Sequence, residues 1–184
     1  IRTAAGGNGT LDISPAEYQK LGITGLDNDS ADLLDDVLES KPLAEVDEWS
    51  EIAALADTAA RVIGTANGTP ANPALTYAEL NSLGIAGSPV TDDNLDAVLQ
   101  AIADSDPANL AALSDSDSDN TNDLTNVVGT AVSNFDTALG DIQAYAGDNS
   151  TPAGSTAPNQ AVYANIGVQS TLAGDTGLRD SVNT

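Results

Sequence analysis

The sequence predicts an all-α fold of small three-helix units, repeated in tandem as a linear array. Three observations predict it. Capped, Gly-terminated helical segments recur, while alternating strand patterns are scarce. The string Leu21-Gly22-Ile23-Thr24-Gly25 returns 62 residues later as Leu83-Gly84-Ile85-Ala86-Gly87. Both copies are entered through the same helix-start signature, and a period of this size marks an array of supersecondary units.

Ser14-Pro15-Ala16-Glu17 is a capping box with Pro at the first helical position. The Ser14 hydroxyl is expected to accept from the Glu17 backbone N–H, with the Glu17 carboxylate reaching back. Tyr18 and Leu21 then share one face, and Gly22 ends the helix because Gly enters the left-handed region without penalty. Thr76-Tyr77-Ala78-Glu79 repeats the box, Leu80 and Leu83 repeat the apolar pair, and Gly84 repeats the stop.

A second helix follows in each unit, with Ser30 and Thr91 as the expected N-caps. Leu34-Asp35-Asp36-Val37-Leu38 there matches Leu95-Asp96-Ala97-Val98-Leu99. The third helices carry apolar stripes at threes and fours. One runs through Val46, Trp49, Ile52, Ala56, Ala59 and Ile63, the other through Leu124, Val128, Ala131, Phe135, Leu139 and Ile142. Trp49 and Phe135 are accordingly expected in the core.

Residues 1–10 read as the tail of a preceding unit or a linker, 11–70 as the first helical unit and 71–151 as the second. Residues 152–184 open a third unit, in which Tyr163 and Ile166 occupy the places of Tyr18 and Leu21. Its cap is Asn159, with Val162 where the box needs Glu. The second unit carries an insertion over 104–123, with a short helix expected at Pro107–Leu113 and a mobile acidic loop at Ser114–Asp123. A chain opening on Ile1-Arg2 without Met is expected to be a piece of a longer protein.

Composition narrows the function classes. Against 28 acids stand five cations, Arg2, Lys20, Lys41, Arg61 and Arg179, for a net charge of -23. Such a chain repels phosphate, so neither nucleic acid nor an anionic membrane is an expected partner. No apolar run reaches the roughly 18 residues that a membrane span needs, so no direct membrane insertion is expected. Without Cys there is neither a disulfide framework nor a thiolate metal site. Without His the usual general base and imidazole ligand are missing, and the expectation is a protein that is not an enzyme.

Calcium is the one ion the acids bring into question, and no other cofactor is expected. Asp115, Asp117 and Asp119 alternate as at the start of an EF-hand loop, with Asp123 following. The sixth position is Asn120 instead of Gly and the twelfth Asn126 instead of Glu, so the full loop is not met. A second candidate is Asp27 and Asp29 with Asp32, at the turn before the second helix. The competing reading of both sets is solvated acids near a helix N-terminus.

Taken together, [Ser/Thr]-x-x-Glu entering Leu-Gly-Ile-x-Gly, a capped Asn-Leu-Asp-Ala-Val-Leu-Gln-Ala-Ile helix, and a long helix ending in Ala66-Asn67-Gly68-Thr69 resemble helical repeats of giant bacterial surface adhesins. These are the RTX-type and biofilm-associated proteins, whose tandem units are sometimes described as GA-like modules. The resemblance covers most of the chain, and it implies an extracellular, bacterial cell-surface location within a much longer chain. The implied role is a structural stalk in cell adhesion or biofilm, with neighbouring repeats of the same chain as partners. Three alternatives stay open: a helical module binding a protein partner on the host or cell surface, a calcium module, and head-to-tail self-assembly.

Overall fold

The computed structural model describes residues 10–87, 89–114, 123–147 and 157–168. They are mostly helical and contain no strand. In chain order the helices are α1 (Pro15–Lys20), α2 (Asn28–Ser40), α3 (Trp49–Ala66), α4 (Tyr77–Ser82), α5 (Leu95–Ala103), α6 (Pro107–Leu110), α7 (Leu124–Gly147) and α8 (Gln160–Asn165), with a 3-10 turn at Leu43–Glu45.

Three short helices, α1, α4 and α8, start and stop alike. At α4 the box is complete: the Glu79 N–H donates to Thr76 Oγ1 (3.3 Å) and the Thr76 N–H to Glu79 Oε2 (2.8 Å). At α1 the carboxylate does both jobs, accepting from the Ser14 N–H (3.0 Å) and the Ser14 hydroxyl (2.7 Å). The Glu17 N–H also donates to the Ser14 carbonyl (2.9 Å), and the expected reciprocal box between Ser14 and Glu17 is present. At α8, Asn159 Oδ1 accepts from Ala161 (2.9 Å) and Val162 (3.2 Å), and so caps the helix without a Glu. All three end on Gly with positive φ, at Gly22 (+93°), Gly84 (+86°) and Gly167 (+82°). Beyond that Gly the chain closes on the helix through Ile23 N–H to the Tyr18 carbonyl and Val168 N–H to the Tyr163 carbonyl.

The expected caps of α2 and α5 are corrected. Asp27 caps α2, accepting from the Ser30 N–H (2.9 Å), while Ser30 Oγ accepts from the Asp27 N–H (2.9 Å). Ser30 is thus the reciprocal partner, inside the first turn and almost wholly buried. Thr91 lies before a separate turn, where its N–H donates to Asn94 Oδ1 (2.8 Å), and Asn94 is the residue that precedes α5. In both cases a polar side chain that can reach back to a backbone N–H moves the boundary by one turn.

Helix α2 packs along α3, and α5 along α7. Helix α3 also lies against α4, α5 and α6, α6 against α2, and α7 against α8. One apolar cluster runs through these contacts, from Tyr18, Leu34 and Leu38 through Val62, Leu83 and Leu110 to Val128 and Val132. Trp49 is a correction: it stands at the first turn of α3, 46% exposed, and the buried stripe begins at Ile52. Phe135 is buried as expected.

The segment 104–123 begins as structure. A helix forms at Pro107–Leu110, shorter than the expected Pro107–Leu113, and Leu110 and Leu113 are both buried. Ser105-Asp106-Pro107 before α6 echoes Ser40-Lys41-Pro42 before the 3-10 turn. Each turn brings a buried aliphatic to the core, Leu110 in one and Val46 in the other. Beyond Ser114, the Leu124 N–H donates to the Ala112 carbonyl (3.0 Å) and the Thr125 N–H to the Leu113 carbonyl (3.1 Å). Both ends of the acidic segment are therefore pinned; its residues 115–122 lie outside the described residues, as do residues 169–184 of the expected third unit.

Candidate functional site

Four carboxylates gather at the N-terminus of α2. Asp27 is spent on the cap, Asp29 is half-buried and Asp32 exposed. Asp106, which caps α6 through the Ala108 N–H (3.1 Å), joins them from the second half of the chain. Burial raises the pKa of Asp29, and the charges of Asp27, Asp32 and Asp106 raise it further. Sequence reasoning named Asp27, Asp29 and Asp32 but missed Asp106, because α6 comes from a segment far along the chain. Among the described residues no three acids converge closely enough to hold an ion. Asp123 serves as a cap for α7: Oδ1 accepts from the Asn126 N–H (2.8 Å) and Oδ2 from the Asn126 side-chain amide (2.8 Å). Asp115, Asp117 and Asp119 lie outside the described residues.

A second polar cluster is fully interior. The Tyr18 hydroxyl donates to Asp35 Oδ1, and the Ile13 N–H donates to Asp35 Oδ2 (2.7 Å). Asp35 is 4% exposed and Tyr18 fully buried. Burial raises the Asp35 pKa; the Ile13 N–H and Tyr18 hydroxyl pull it down without cancelling that, and Asp32 and Glu39 push it up again. Burial, the bond to Asp35 and its charge all raise the Tyr18 pKa, so the phenol stays protonated and donates. The Glu39 carboxylate accepts from the Leu11 N–H, so two acids of α2 hold the incoming chain. This is a structural clasp: a carboxylate with two donors, closed off from solvent, leaves no open position for a substrate.

The third cluster joins the two halves. Arg61 of α3 donates to Glu79 at the first turn of α4, to the Pro73 carbonyl (2.7 Å) and to Asp57 (3.4 Å). Partial burial acts to raise the Glu79 pKa, but Thr76 and Arg61 outweigh it and leave it lowered. Elsewhere between the halves, the Leu113 N–H donates to Asp36 Oδ2 (3.1 Å), a bond spanning 77 residues of sequence. The sequence signals for the Arg61 junction are thin: the box at Thr76 is legible, its Arg61 partner is not. No helix among the described residues is long and apolar enough to cross a membrane. No family model, curated protein or solved structure matches the chain.

Proposed function

We propose that the chain is a non-catalytic, extracellular repeat region of a large bacterial surface adhesin, in which tandem three-helix units in a linear array form a stalk. The observation that carries this reading is the way a long helix serves two neighbours. Helix α3 closes on α2 behind it and on α4 and α5 ahead. Helix α7 closes on α5 behind it and on α8 ahead. Units that share a helix face with the next unit extend as a rod by nearest-neighbour contacts. The charge of -23 keeps such a rod soluble and repels its copies. The resemblance to adhesin repeats supports the same location and role.

The test is display on a bacterial surface between an anchor and a reporter binding domain. Capture by the reporter should rise with the chain in place, and equally with an unrelated helical spacer of the same length. Capture of a host protein by the chain without the reporter domain contradicts the stalk and supports a binding module.

Calcium is the alternative raised by the sequence spacing of Asp27, Asp29 and Asp32, although no three acids among the described residues converge closely enough to hold an ion. A thermal melt with calcium and with chelator, at matched ionic strength, separates the two. Coincident melts are expected for solvated acids; a midpoint raised sharply by calcium shows a site linked to folding.

A further inference from the structure

We propose that the face of α1 carrying Leu21, with Glu17 at its rim, is a docking surface for the third helix of another unit of this same type. The inference rests on the tandem reading above and names the partner it needs. Leu21 and Leu83 are equivalent by the 62-residue offset. Leu83 is fully buried, because α4 lies against α3 and its turn reaches the end of α2, where Ser40 and Lys41 stand within about 4 Å of the position a Cβ on Gly84 would take. Leu21 is 50% exposed. Its turn has only Trp49 of α3 near Gly22, and Trp49 is itself 46% exposed.

Gly167 is covered too, but at a different place: it sits against Asp96 and Ala97 in the first turn of α5, whereas Gly84 faces the end of α2, so two of the three turns lie on the preceding second helix without sharing one seat. The charge at the rim matches as well. Glu79 takes Arg61 from α3; Glu17, in the same position, hydrogen-bonds Ser14, and no arginine faces it among the described residues. At α8 the position is Val162, so the acid is a feature of the first two copies. The occupant that fits α1 is therefore an Ala-rich amphipathic helix bearing an arginine placed as Arg61 is.

The experiment uses the offset. A copy of residues 11–72 placed between residues 10 and 11 of the full chain keeps the repeat in register and brings a second Arg61 toward Glu17. The chain has no Cys, so one thiol introduced by Leu21→Cys reports on the face, with Leu83→Cys as the benchmark for a covered position. In the original chain the thiol at 21 should label fast and the thiol at 83 slowly. In the extended chain labelling at 21 should slow by about tenfold or more, toward the rate at 83, because it now waits for local opening. Unchanged labelling at 21 overturns the proposal, whether the added unit folds apart or stays unfolded. Slow labelling at 21 in the original chain also overturns it, since the chain's own first residues would then cover the face. Capture of a host protein by the chain would sink the stalk reading and leave this result standing.

Discussion

Asp35 is the residue on which most of the interior polar chemistry turns. A carboxylate in a low-dielectric site is tolerated only when its lone pairs are used. Replacing Tyr18 by Phe removes one of its two donors and should cost about 1.5–3 kcal/mol, the range for a bond to a charged group. Chemical denaturation of the variant checks it. The pH dependence has a definite sign. A carboxyl whose folded pKa is raised is favoured in its protonated form by the fold, so its contribution grows as pH falls through that raised value and is complete below the ordinary value of about 3.9. Asp29 acts in the same direction. Glu17 and Glu79 act oppositely: their lowered pKa values contribute stability at neutral pH that is lost only at more acid pH, below the ordinary Glu range. Acidification toward the ordinary Asp range should therefore raise this contribution to stability, and Asp35→Asn should diminish the rise in melting temperature. An identical rise in both proteins contradicts the assignment. From sequence, Asp35 was one more acid on an amphipathic helix, and nothing local distinguished it. Its role is set by Ile13 and Tyr18, which only the fold brings to it.

At the scale of elements, the glycines divide into two kinds. Gly84 has φ +86°, where a Cβ is strained whatever the room around it, so Gly84→Ala should cost about 1–2 kcal/mol. Gly140 lies inside α7 with open space at its Cβ position, and Gly140→Ala should stabilise by about 0.5–1 kcal/mol through helix propensity. Denaturant midpoints of the two variants should move in opposite directions. The turn glycines, the α4 box and the α8 cap were legible because their signals lie within a few residues of one another. The starts of α2 and α5 were misplaced by a turn because Ser30 and Asn94 bond backward to the residue three before. Trp49 was assigned to the core on its three-and-four spacing with Ile52, yet as the first residue of α3 it is half exposed, and the buried stripe begins at Ile52. Helix α6 was anticipated as a helix, but its seat on α2 and α3 depends on contacts that no local pattern encodes.

At the scale of the whole molecule, the two sequence halves share one core. Each half alone has few aromatic side chains to bury, and its long helix presents apolar surface on two sides. Small separate domains of this composition would be marginal. Leu110, from the second half, lies fully buried where α6 meets α2 and α3, so Leu110→Ala should destabilise by about 2–5 kcal/mol as a cavity forms. The sole tryptophan, Trp49, reports from the first half. The most direct test is a urea titration of the parent chain and Leu110→Ala, following Trp49 fluorescence and far-UV circular dichroism together. A shared core predicts coincident transitions by the two signals, and a Trp49 midpoint that falls in the variant as far as the helical one does. Separate transitions, or a Trp49 midpoint untouched by the change at Leu110, would contradict it.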